Sequence, residues 1–184
     1  MITFEKTFID DLFVVKPDVY LDSRGYFFES YSKIKFNDSL LEYDFVQDNI
    51  SLSIDRGTLR GLHYQDAPFE QTKLVYCIQG SIFDVAVDLR EDSKTYMKWF
   101  SIELNSENHF GLLVPKGFAH GFQTLNYNSI VNYKVDNPYN KHSDRSILWN
   151  DPKFNIIWPI KEPILSDKDK NAPYFNHKET GSFL

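Results

Sequence analysis

The 184-residue sequence predicts an all-β fold of sandwich, barrel or jelly-roll type, and three observations carry that prediction. About nine short apolar runs are separated by turn residues at roughly the 8–12-residue spacing typical of sheet proteins. Phenylalanine and tyrosine, at 16 and 11 residues, dominate the aromatics, and both favour strands. There is no internal repeat, low-complexity segment or interdomain linker, so residues 1–184 read as one domain with short, peripheral helices.

Residues 1–30 read as two strands around a turn. Phe13–Tyr20 is apolar but contains Pro17, which suits an edge strand or a bend. Asp22-Ser23-Arg24-Gly25 is turn chemistry, and Tyr26–Tyr31 restarts a strand with Phe27 and Glu29 on one face. Ser32–Asp44 is polar with scattered apolar positions and has room for one short helix. Phe45–Ser53 carries the amides of Gln47 and Asn49 around Asp48. Such amides can read a base or sugar edge, or belong to an ordinary solvated strand end. Asp55-Arg56-Gly57 turns the chain into Gly57–Gln65.

That stretch, Gly57-Thr-Leu-Arg-Gly-Leu-His-Tyr-Gln65, has Arg60 and His63 as its polar centre. In a regular strand Arg60 shares a face with Leu62 and Tyr64, and His63 faces the other way with Gly61 and Gln65. A bulge at Gly61 would bring Arg60 and His63 to one side, an anion clamp beside a titratable imidazole. The same residues also fit a strand with a surface arginine and a satisfied histidine.

Lys73–Gln79 and Ser81–Arg90 flank Gly80 and read as a hairpin. Trp99–Leu104 alternates, and Phe110–Val114 leads into Pro115-Lys-Gly-Phe-Ala-His-Gly121. Phe122–Leu125 and Ile130–Val135 read as a second hairpin across Asn126–Ser129. Ser146–Trp149 and Phe154–Trp158 complete the strands, and the tail contains Ser166-Asp-Lys-Asp169.

Composition narrows the chemistry. The net charge of −6 lacks the basic stripe of a nucleic-acid binder. The single cysteine, Cys77, sits in an apolar run and reads as a buried, inert thiol in a reducing compartment. No signal peptide or membrane-length apolar stretch is visible, so the expected location is the cytoplasm, away from membranes. HxH, HExxH and CxxC spacings are missing, as are a nucleophile elbow and a glycine-rich nucleotide loop. What remains is proton transfer without metal or cofactor, with His63, His120, Tyr133, Tyr139, Lys73 and Asp169 as candidate parts.

The segments Ser23–Glu29, Phe45–Asn49, Leu59–Gln65, Val114–Gly121, Asn132–Lys134, Leu148–Pro152, Trp158-Pro159 and Leu165–Asp169 resemble, in order, the dTDP-4-dehydrorhamnose 3,5-epimerase family. The resemblance implies a cupin-type jelly roll, a homodimer, and neither metal nor cofactor. It also implies inversion of C3 and C5 of a dTDP-4-keto-6-deoxyglucose. By matching position, His63 is the base, Asp169 its orienting partner and Tyr133 the acid on the opposite sugar face. Lys73 stabilises the enolate, with His120 nearby. Arg24, Glu29, Gln47, Asn49, Arg60 and Lys168 hold the nucleotide diphosphate and sugar, while Phe27 and the tyrosines offer faces for thymine. Tyr139 and Asp144 belong to the same pocket. Asp144 supplies a shorter carboxylate where the family usually has glutamate, and Pro138 interrupts the commoner aromatic pair.

The chemistry agrees with these implied roles. Protons at C3 and C5 are acidic because both flank the C4 ketone, and their removal builds charge on O4 that a cation must meet. Within enzymes, a C3-only or C5-only epimerase is the rival reading. A 3,4-ketoisomerase fits the Tyr133 stretch less well. From another class comes a non-catalytic jelly roll that binds sugar nucleotides, but such a protein needs no base, orienting carboxylate or opposing acid.

Overall fold

A computed structural model describes residues 2–38 and 43–176. The apolar runs pair antiparallel into two facing sheets. The first sheet has six strands in the order β1 (Thr3–Lys6), β2 (Phe13–Lys16), β10 (Gly111–Val114), β7 (Lys73–Gln79), β12 (Ser129–Val135) and β5 (Gln47–Ser53). The second has five, in the order β13 (Asp144–Ser146), β6 (Leu59–Gln65), β11 (Phe118–Thr124), β8 (Ser81–Asp88) and β9 (Trp99–Asn105). A hairpin of β3 (Tyr20–Asp22) and β4 (Gly25–Phe27) stands apart, and the helices are short: α1 (Lys33–Asp38) and α2 (Asp167–Lys170). The predicted all-β class is therefore the observed one, and its sheets form a sandwich.

Three apolar layers explain the strand patterns. Between the sheets, Val14, Val75, Leu112 and Val131 meet Ile82, Ala86, Phe118 and Phe122. On the far side of the five-stranded sheet, Leu62, Val85, Val87 and Ala119 pack under Phe154, Trp158 and Phe175. On the far side of the six-stranded sheet, Leu74, Tyr76 and Leu113 pack against Phe36 of α1. Strands β8 and β11 are covered on both faces, and so read as near-continuous apolar runs instead of alternating ones. Cys77 is buried as expected, and burial pushes its thiol up to about 12.

Some expectations need correction. Neither predicted hairpin forms: β7 pairs with β10 and β12, and β8 with β9 and β11. At Gly80, and again across Asn126–Ser129, the chain crosses from one sheet to the other. Turn residues reverse the chain, but they do not decide whether the next strand pairs with its predecessor or faces it. Phe154–Trp158 is not a strand. Its rings cap the outer core while Trp158 Nε1–H donates to the Trp149 carbonyl at 2.8 Å and Trp99 Nε1–H to that of Phe154 at 2.9 Å. Strand β1 was not anticipated, and β4 ends at Phe27 instead of Tyr31. The short helix expected within Ser32–Asp44 is α1, and residues 39–42 lie outside the described residues.

Candidate active site

The site begins with a register change in β6. Phe122 of β11 pairs with Arg60, yet His120 pairs with His63, so β6 fits one extra residue between these points. Gly61 makes this possible. Its φ of +131° is open to glycine, and a Cβ there would lie 2.6 Å from the Gly121 Cα. Of the two readings open in the sequence, the bulge is the one observed, and Arg60 and His63 line one cavity of about 370 Å³.

His63 Nε2 lies 2.5 Å from Asp169 Oδ1 of α2. Burial pushes the Asp169 carboxyl up, but hydrogen bonds from His63 and Ser166 prevail and hold it below its ordinary value. On β11, His120 lines the cavity beside His63, with Nε2 2.6 Å from Asp84 Oδ1. Asp84 is fully buried on β8, and sequence reasoning missed it. The signal was a carboxylate in the middle of the apolar run Ile82–Val87.

The opposite wall belongs to the six-stranded sheet. Tyr133 of β12 is half-buried, and desolvation raises its phenol pKa against the opposing effect of Arg60. Lys73 opens β7, where its Nζ donates to the His63 carbonyl at 3.3 Å. Its remaining surface faces the cavity, and desolvation lowers the ammonium to about 8 against the pull of Asp144 and Asp84. Arg60 spends Nε–H on Ser53 Oγ and one Nη2 donor on the Leu52 carbonyl, both at 3.1 Å, and still lines the cavity.

At the rim, Asp144 accepts from Tyr139 Oη at 3.0 Å and Lys168 Nζ at 2.6 Å, so the short carboxylate reaches both partners. Gln65 clamps two rim loops, accepting from Asn140 N–H at 2.7 Å and donating to the Phe69 carbonyl at 2.6 Å. Ser166, Gln71 and Phe122 also line the cavity and had no role in the sequence reading.

Other expected residues are not gathered there. Gln47 and Asn49 sit behind the tyrosines: Gln47 donates to Asn49 at 2.7 Å, and Asn49 donates to the Tyr133 carbonyl at 3.5 Å. Arg24 and Phe27 line a separate shallow cavity of about 260 Å³ on the β3–β4 hairpin, where Arg24 pairs with Asp22 at 2.6 Å. Glu29 pairs with Lys35. Among the described residues, no group of three or more His, Cys, Asp or Glu side chains is placed to hold a metal ion. No helix there is long and apolar enough to cross a membrane.

Known proteins share this architecture. A family model described as dTDP-4-dehydrorhamnose 3,5-epimerase matches residues 6–177. The dTDP-4-dehydrorhamnose 3,5-epimerase of Shigella flexneri is 47% identical over 171 residues, covering 92% of this chain and 94% of that one. A crystal structure of the Bacillus anthracis enzyme with TDP and PPi bound superposes with a TM-score of 0.93 at 47% identity, covering 95% of this chain and 100% of that one. The Legionella pneumophila dTDP-6-deoxy-D-glucose-3,5-epimerase, in complex with dTDP-4-keto-L-rhamnose, also gives 0.93, at 38% identity and 100% coverage of both chains. Agreement this close, in sequence and in backbone over nearly the whole length, makes this chain an epimerase that belongs to the dTDP-4-dehydrorhamnose 3,5-epimerase family.

Proposed function

We propose that this enzyme inverts C3 and C5 of dTDP-4-dehydro-6-deoxy-D-glucose, giving dTDP-4-dehydro-L-rhamnose, by metal-free, cofactor-free proton transfer between His63 and Tyr133. The supporting observation is their placement. His63 comes from the five-stranded sheet and Tyr133 from the six-stranded sheet, and both line the same cavity. A sugar ring held between the sheets meets a base on one face and an acid on the other, as inversion requires.

With Nε2 engaged by Asp169, His63 takes the carbon-bound proton on Nδ1. The electron pair moves into the C4 carbonyl, and the enolate charge on O4 is met by the Lys73 ammonium, with His120 nearby. Tyr133 then protonates the carbon from the opposite face, and solvent exchange resets phenolate and imidazolium. Repetition at the second centre completes the reaction. Asp169 supports the imidazolium formed at each abstraction. Arg60 and Lys168 suit the diphosphate, and Tyr139 the base, at the rim.

We further propose a homodimer. Edge strand β5 and its flanks expose Val46, Ile50, Leu52 and Ile54, a row of apolar residues that a second subunit would cover. The β3–β4 hairpin carries Arg24 and Phe27 but does not line its own chain's cavity, so these residues, with Glu29, fit a role in the neighbour's site.

Proton NMR of the purified enzyme with substrate in deuterated water, chelator present, tests the reaction. Deuterium is expected at both centres with inverted configuration. Tyr133→Phe keeps the base and Lys73, so deuterium should enter without inversion wherever His63 exchanges before returning the proton. A phenylalanine variant that inverts like the wild type removes Tyr133 from the acid role. Deuterium at one centre only in the wild type would establish a single-position epimerase instead.

A further inference from the structure

Asp169 has two side-chain partners, and only one of them is His63. Ser166, the N-cap of α2 with φ −70° and ψ 161°, donates its hydroxyl to Asp169 Oδ2 at 2.7 Å. Ser166 Oγ also accepts the Asp169 N–H at 3.1 Å. One hydroxyl thus closes the helix turn and occupies the carboxylate oxygen that His63 leaves free. A four-residue helix has no stability of its own, but its flanks are tied to the body. Before it, Ile164 N–H donates to the Gly57 carbonyl and its carbonyl accepts from Leu59 N–H, both at 2.9 Å. After it, Leu148 N–H donates to the Pro173 carbonyl at 2.8 Å. With the backbone pinned, rotation of the Asp169 side chain is the freedom left to control.

We propose that Ser166 is a positioning residue for proton abstraction: its hydroxyl locks the Asp169 carboxylate with Oδ1 toward His63 and draws part of its charge away from the imidazole. The proposal rests on the reading of His63 as the base. In this role Ser166 acts on the reaction through Asp169. The direction of the Asp169 shift agrees, since the serine hydrogen bond favours the ionised carboxyl. Other charged or titratable groups surround the pair: Arg60 on β6 beside His63, His120 on β11 with Asp84 on β8, Lys73 on β7, Tyr133 on β12, and Asp144 on β13 holding Lys168, which shares α2 with Asp169 and helps to lower its carboxyl. Substitution at position 166 removes none of these side chains.

Steady-state kinetics of Ser166→Ala, Ser166→Gly and Ser166→Thr across pH, with dTDP-4-dehydro-6-deoxyglucose, test it. Glycine caps helices almost as well as serine but has no hydroxyl, so it separates the cap from the hydrogen bond. The alanine and glycine variants should lose roughly tenfold in kcat with KM within about twofold. Their acidic limb of kcat/KM should move up by about half a pH unit, because a carboxylate short of one donor holds the imidazolium proton more tightly. Threonine should restore both. A glycine variant with wild-type kcat and an unmoved limb overturns the proposal. So does activity lost in all three variants with the limb unmoved, which is the mark of a purely structural residue. Failure of the underlying reading shows separately: folded His63→Gln with near-normal turnover removes the base, whatever happens at Ser166.

Discussion

Lys73 is where charge and burial conflict most sharply. The sequence shows only a lysine at the start of an apolar strand, a position that is ordinarily solvated. In the fold it is half-buried against the cavity, and desolvation lowers its ammonium to about 8. A lowered lysine pKa means the charge is present below that value and lost as pH rises through it. At pH 7 roughly nine-tenths of the enzyme should carry it. If this cation meets the enolate, kcat/KM should fall along an alkaline limb near pH 8, and Lys73→Met should cost about 10²–10³-fold in kcat. A profile flat from pH 7 to 9, or a methionine variant with near-normal turnover, would remove Lys73 from the mechanism. Asp84 teaches the complementary lesson. A carboxylate in a buried strand is unusual enough to notice, but its partner His120 lies 36 positions away, and only the β8–β11 pairing joins them.

At the scale of elements, the bulge in β6 decides whether there is a site at all. Strict alternation would put Arg60 and His63 on opposite faces, one of them away from the cavity. The extra residue at Gly61 brings both inward, and β11 approaches so closely at Gly121 that no side chain fits between the strands. Gly61→Ala should therefore destabilise the fold by about 2–4 kcal/mol, through backbone strain at positive φ and the clash with β11. Urea denaturation measures the loss, and residual activity in the folded fraction should drop as well, since the strands must part beside His63. Wild-type stability would show that the close approach is not maintained in solution. Gly61 is legible in the sequence as a bend or a close approach, because a glycine between strand-forming residues has few other uses. The two false hairpins were not avoidable on the same grounds, because Gly80 and Asn126–Ser129 carry turn chemistry whichever sheet the next strand joins.

At the scale of the whole molecule, the cavity holds His63, Tyr133 and Lys73, the proposed base, acid and enolate cation, while Arg24, Phe27 and Glu29 stay outside it. A dimer in which hairpins reach across makes a direct prediction. Arg24→Ala and His63→Ala proteins should each be impaired at low substrate, and co-refolding equal amounts should recover about a quarter of wild-type activity. That follows because half the dimers are mixed and each mixed dimer rebuilds one of two sites. Mixed dimers seen by mass spectrometry without recovered activity would place the hairpin in its own subunit's site or in none. Glutamate substitutions at Ile50 and Leu52 should leave the fold intact and yield monomers by light scattering.

Local patterns sufficed for the all-β class, the turn at Asp22–Gly25, the short helix near residue 33, the buried Cys77 and the bend at Gly61, because each depends on neighbours within a few residues. The ordered motifs also pointed to the family, and with it to His63, Asp169, Tyr133 and Lys73. Tertiary structure alone decided which strands face each other, so that His63 and Tyr133, the proposed base and acid, stand on opposing sheets. It also brought Asp84 to His120 and Ser166 to the free oxygen of Asp169, and left the β3–β4 hairpin outside the cavity. These outcomes depend on contacts between segments distant in sequence and on which apolar faces find cover, and no local pattern of residues encodes either.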